Sequence, residues 1–234
     1  MGAMFQKILP FLKHNRYKLA IFGLMAGASL ICIMLVGARI TVSDSGRYAS
    51  LVWNLFLAWI PFLLAYAAYT LSWSRRWLYI VIPITAFLWL IFFPNAPYIL
   101  TDLQHLAVAN WQDIDTWYDV LMLVWFAFTG LLLGMVSLFM MQEIIRREFG
   151  RWIGWGFVAL VTVLTAVGVY VGRFLRWNSW DILSRPRELA DFTLAHAVDP
   201  SGRSIVFTTI FAALFLFLYL TLYAFGHLLQ ERHI

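Results

Sequence analysis

The chain has 234 residues, 62% of them hydrophobic and 12% charged, with a formal net charge of +5 and a mean hydropathy of +0.78. Soluble domains carry roughly 45–50% apolar and about 25% charged residues, and no water-soluble fold of this length can hide so much apolar surface. Composition therefore excludes a soluble enzyme, and because the basic residues cluster at the ends of apolar runs they read as membrane-topology signals rather than as a nucleic-acid footprint.

A membrane-spanning helix needs about 20 consecutive apolar residues, and six stretches qualify, at approximately 19–38, 51–73, 77–93, 120–142, 153–172 and 205–228. The first contains Val36-Gly37-Ala38, which looks like a signal-peptide cleavage site. Its apolar core exceeds the usual 7–15 residues or so, which favours a retained span. Pro94 and Pro97 end the third span, because a proline ring removes a backbone donor and clashes with the preceding turn. The expected fold is an all-α bundle of six transmembrane helices in a single domain over residues 1–234, with a broken segment at Pro94–Pro97 and, from Pro186, Glu188, Leu189 and Phe192, a short interfacial helix on the outer side. Gly-x-x-x-Gly pairs occur at Gly23/Gly27, Gly130/Gly134, Gly150/Gly154 and Gly168/Gly172, and those within spans suit close packing inside the bundle rather than dimerisation.

Counting charges between spans sets the orientation. One side carries ten Lys and Arg against three acidic residues, net +7; the other carries seven against nine, net −2. Both termini are expected to be cytoplasmic, with the short turns at Ser74-Arg75-Arg76 and at 143–151 inside. The long polar segments 93–119 and 173–203 then lie outside. The single cysteine, Cys32, sits within an apolar run and rules out an intramolecular disulfide or a two-cysteine metal site.

Two outer segments carry the candidate chemistry. In FPNAPYILTDLQHL (93–106) the prolines break the backbone at membrane depth, which is tolerated only where it is buried in protein or lines a wet cavity. Helical spacing then places Tyr98, Thr101, Asp102 and His105 on one stripe, with Asn95 at the break. In GRFLRWNSWD (172–181) helical spacing puts Arg173, Arg176, Trp177 and Trp180 on one face, with Asn178 and Asp181 at the same depth. Paired guanidinium groups flanked by indoles suit an anion, above all a phosphate. Asn54 in the second span and Asp119 at the edge of the fourth belong to the same end, and polar groups in spans mark function by default.

These residues admit three readings. Asp102, Asp119 and Asp181 can pair with Arg173 and Arg176 and simply pin the outer loops. Asp102 and His105 can hold a metal, but two ligands need a third, for which Asp119 or Asp181 is only a guess, so no metal ligand is assigned. Or the cluster binds a substrate. Asp113 and Asp115 read as solvated loop carboxylates. No HExxH, GxSxG, Walker or dinucleotide-binding motif is present, and no motif names a cofactor.

FPNAPYILTDLQHL (93–106), GRFLRWNSWDIL (172–183) and WNLFLAWIP (53–61) together resemble an uncharacterised bacterial membrane family, domain of unknown function 1361. The resemblance spans nearly the whole chain and implies a bacterial inner-membrane protein whose signature residues fall at Asn54, Asn95, Pro97, Tyr98, Asp102, His105, Arg173, Arg176, Asn178 and Asp181. It implies no activity.

The expected function is binding, with transformation as an extension, of an anionic amphiphile such as a lipid phosphate or lipid-linked sugar. Arg173 and Arg176 hold the anion; Asp102 orients His105 as acid or base; Asn54, Asn95, Tyr98, Asn178 and Asp181 contribute polar contacts; Trp177 and Trp180 line the apolar part. The expected partners are membrane lipid and that ligand. The rival expectation is a small permease or non-catalytic membrane subunit in which the same residues form structural ion pairs.

Overall fold

The computed structural model describes residues 2–72, 75–108, 115–188, 191 and 201–231. Its elements are α1 (Gly2–Ser43), α2 (Ala49–Leu71), α3 (Arg75–Phe92), α4 (Asn95–Tyr98), a 3-10 helix (Ile99–Val108), α5 (Thr116–Phe149), α6 (Arg151–Phe174), α7 (Asp181–Ser184) and α8 (Gly202–Glu231). Six segments are long and apolar enough to cross a membrane: Arg16–Ser43, Ala49–Leu71, Ile82–Leu106, Thr116–Phe149, Arg151–Phe174 and Gly202–Leu228. Large apolar side chains such as Leu30, Phe56, Phe128, Leu160 and Phe217 stand on the outside of these segments. Such a surface is stable only against lipid. The chain is an integral membrane protein with an all-α fold.

α5 is the axis of the bundle and the most buried of the six spans. It packs against α1, α2, α4, the 3-10 helix and α6, while α8 leans on α6. α5 is also longer than its apolar run. Residues 143–149, expected to turn the chain, continue the helix, and the reversal is made at Gly150 alone, whose φ of +95° only glycine adopts without strain. Along this extension Arg146 pairs with Glu143 at 2.8 Å on the helix surface.

The third span breaks where the prolines require. α3 ends at Phe92, and the Asn95 side-chain amide donates to the Phe92 carbonyl at 2.8 Å, serving a main-chain acceptor whose helical donor, the Ala96 N–H, bonds to the Phe93 carbonyl instead. The broken segment is clasped by glycines of its neighbours. A Cβ on Gly130 would lie 2.6 Å from the Ala96 carbonyl oxygen, and one on Gly168 would lie 2.7 Å from Pro94. The Gly-x-x-x-Gly pairs of α5 and α6 thus let backbone approach backbone inside the bundle.

Of the expected interfacial helix, residues 186–188 are helical. Leu189 and Phe192 lie outside the described residues, as do Asp113 and the loop around it.

Candidate functional site

The two polar segments come together at one end of the bundle, where Asp102 is the hub. Its carboxylate is 1% exposed. Oδ1 accepts from Arg173 at 2.9 Å, and Oδ2 accepts from the Asn54 amide at 2.8 Å. His105 Nε2 stands 3.7 Å from Oδ1, an ion-pair distance and too long for a hydrogen bond. The segment is a 3-10 helix rather than the α-helix expected, so residues three apart eclipse and Asp102 sits directly beneath His105. Tyr98 and Thr101 fall on the neighbouring edge. Arg173 still gathers both edges, donating to the Tyr98 hydroxyl at 3.2 Å and to the Thr101 carbonyl at 3.0 Å. Its Nε is buried without a partner among the described residues.

Arg173 and Arg176 do not form a pair. α6 stops at Phe174, Leu175 caps it, and Arg176 adopts a left-handed φ of 58°, turning its side chain to the exposed surface. The Trp177 N–H reaches back to the Val171 carbonyl at 3.4 Å, taking up an acceptor of the last turn. The shared face of Arg173, Arg176, Trp177 and Trp180 is therefore absent, because the helix that would create it ends first. Trp180 instead packs edge-on against Trp53 at 6.5 Å. Arg173 is neutralised by Asp102, so the two guanidinium groups expected to grip one anion are apart in both place and charge.

The other carboxylates find partners of their own. Asp119, 2% exposed, accepts from Arg39 Nε at 2.8 Å and from the Tyr48 hydroxyl at 3.2 Å. Burial, and then the Asp119 carboxylate, push the Tyr48 phenol above its ordinary pKa, so it stays a donor. Asp181 accepts from the Asn178 main-chain N–H at 2.8 Å and from Arg185 at 3.0 Å. These contacts, the main-chain N–H foremost, hold its carboxyl below the usual aspartate range. Neither aspartate meets Arg173 or Arg176, and neither joins Asp102 and His105. Among the described residues no group of three His, Cys, Asp or Glu side chains could hold a metal.

Arg39 and Tyr48 are the residues that sequence reasoning missed. Arg39 reads as a loop charge after an apolar run; the structure keeps it inside α1 and 4% exposed. The available signal was a lone arginine at a span end with an aspartate, Asp119, at the matching end of another span.

Beside this polar cluster lies a cleft of about 440 Å3 between α2, α3, α4 and α6, within the range of roughly 300–1,000 Å3 typical of ligand sites. Its walls are apolar, among them Leu57, Ile91, Leu164 and Val171, and it runs from Phe87 up to the 177–182 turn. Polar groups close the upper end: Asn54, Asn95, Tyr98, Asn178 and Ser179. Phe87 and Leu164, both lining residues, are 58% and 41% exposed within spans, so the cleft opens sideways toward lipid. Asn95 braces the cap by donating to Ser179 at 2.7 Å across the cleft's rim. His105, Arg173, Arg176 and Asp181 do not line it.

Residues 53–218 match the profile of the family described as Protein of unknown function (DUF1361). The chain belongs to this family. The match takes in every residue of the cleft and of the Asp102 hub, and leaves Arg39 and Tyr48 outside its bounds. No curated protein and no solved structure matches the chain.

Proposed function

We propose that the protein binds an amphiphile whose chain enters the cleft from the bilayer and whose head meets the asparagine cap. The observation that carries this is the cleft's form, mostly apolar along its walls, with its polar groups other than Thr165 gathered at the end nearest the loops. Narrowing it tests the reading. Val171→Phe places an aromatic ring into the cleft and is expected to lower co-purified amphiphile several-fold while helical content stays unchanged; unaltered retention would remove the proposal.

The head is not assigned to Arg173, whose charge Asp102 neutralises, and no arginine lines the cleft. His105 keeps the Asp102 contact an acid–base role requires, but it opens beside Tyr48, with the ring centroids 6.4 Å apart, on the far side of Asp102 from Asn54. A second reading therefore has its own support. The Arg173–Asp102 pair, spanning 71 residues of sequence, serves as a structural clamp holding the broken span against α6, as in a non-catalytic subunit.

We also propose that the protein lies in a bacterial inner membrane, on the resemblance of its signature segments, with both termini cytoplasmic, on the charge difference of +7 against −2 and the even number of spans. A reporter fused after Ile234 is expected to be active inside the cell and one inserted near Asp113 outside. Export of the C-terminal reporter would reverse the topology.

A further inference from the structure

The cap of the cleft sets hydrogen-bond acceptors beside donors, with no charged group among them. Asn54 turns its amide N–H group to the Asp102 carboxylate, and Asn95 turns its own to the Phe92 carbonyl and the Ser179 hydroxyl. Asn178 faces the Asp181 carboxylate in the same sense, with a long contact of 3.5 Å. A carboxylate or a main-chain carbonyl can only accept, so chemistry fixes which end of each amide faces inward. Among the described residues each side chain leaves its carbonyl oxygen without a partner, and Asn54 and Asn178 each keep a second amide N–H as well. Three such oxygens therefore border one cleft. Donors border the same cleft: the Tyr98 hydroxyl, whose oxygen already accepts from Arg173, the Ser179 hydroxyl, whose oxygen accepts from Asn95, and the Trp53 indole N–H.

Resting on the amphiphile reading above, we infer that the head recognised here is a neutral, hydroxyl-rich one, a sugar or polyol carried on a lipid chain, and not a phosphate. A phosphate brings full negative charge, no cationic side chain lines the cleft to meet it, and the nearby arginine, Arg173, spends its charge on Asp102. An ammonium head fares no better. No carboxylate lines the cleft, and the ring of Trp177 already carries the Arg185 guanidinium at 4.9 Å. Hydroxyl groups, each both donor and acceptor, match three carbonyl oxygens flanked by two hydroxyls. A site built to bond a ligand hydroxyl also rejects a ligand lacking it, because its own polar groups are then left unpaired.

The test uses the full chain in phosphatidylcholine nanodiscs doped equally with monoglucosyl diacylglycerol, diacylglycerol and phosphatidic acid of identical acyl chains. Probe retained per protein is read by native mass spectrometry. The glucosyl lipid is expected to be enriched at least fivefold over both others. Asn178→Ala, a substitution in an exposed turn, is expected to lower that enrichment several-fold, and Asn178→Lys, which replaces an acceptor by a cationic donor, to shift it toward phosphatidic acid. Equal retention of the three probes, or preference of the unsubstituted chain for phosphatidic acid, overturns the head-group assignment; if Val171→Phe still reduces all three, the amphiphile reading itself survives that result. Glucosyl-lipid retention that Val171→Phe leaves untouched overturns both.

Discussion

Two buried ion pairs sit at the same end of this bundle and do different things. Arg39–Asp119 joins α1 to α5 and is closed off by Tyr48, with both side chains under 5% exposed. Arg173–Asp102 is as deeply buried on the carboxylate side, yet Asp102 also holds the Asn54 amide that borders the cleft. The first pair ends in the protein; the second ends at a candidate binding surface. Equal burial and equal chemistry therefore do not imply equal roles, and the third group bonded to the carboxylate makes the difference.

The largest effects come from breaking either pair. Arg39→Ala and Arg173→Ala each strand a buried carboxylate, and each is expected to cost about 3–5 kcal/mol, seen as loss of folded protein in detergent. Replacing both partners by apolar residues separates the roles, because such swaps are often close to neutral for stability. Arg39→Met with Asp119→Leu is expected to keep both fold and amphiphile retention. Arg173→Met with Asp102→Leu is expected to keep the fold and lose retention, since the Asn54 amide no longer has an acceptor to hold its carbonyl toward the cleft. Equal retention in the two double variants would erase the distinction.

Smaller effects come from the glycines that clasp the broken span. Gly130→Ala drives a methyl group against the Ala96 carbonyl and is expected to cost about 1–3 kcal/mol. Gly27→Ala, on an open face of α1, is expected to change stability by no more than about 0.5 kcal/mol. Thermal unfolding of the two in one detergent checks this. A larger loss at Gly27 would mean that the Gly23/Gly27 face packs against something and that the contrast between the two Gly-x-x-x-Gly sites is misplaced.

The smallest expected effect is local and pH-dependent. Folding lowers the Asp181 pKa, so its contribution to the 178–185 turn is fully present above the ordinary aspartate value of about 3.9 and is lost as pH falls through the lowered folded value. Amide exchange in this turn is expected to quicken below about pH 4 beyond its intrinsic rate, and Asp181→Asn to remove that dependence. The same acid response in the Asn variant would assign it to another group.

Much of this was legible in the chain. The spans were, because a run of apolar residues long enough to cross a bilayer needs no partner to be recognised. So was the break at Pro94 and Pro97, since a missing N–H is a property of the residue itself. Asn54, Asn95, Tyr98, Asp102, Arg173 and Asn178 were all singled out, and the structure brings them to one end. The roles given to Arg176, Trp180 and Asp119 did not carry over. Helical spacing carries Arg176 and Trp180 onto one face only if α6 continues past Phe174, where it stops, and Asp119 meets an arginine 80 residues away, Arg39, that spacing alone does not bring near.

By itself, then, the sequence determined the solvent of this protein, the number of its crossings and the place where one crossing fails, because each follows from the transfer cost or donor count of the residues concerned. Only the tertiary structure decided which arginine each aspartate meets. That choice depends on which helices are neighbours, and it leaves the cleft lined by neutral amides and hydroxyls. A lone charge at a span end reads the same whether it reaches out to water or turns inward to a partner; the packing of α1 on α5, and of the broken span on α6, settles which.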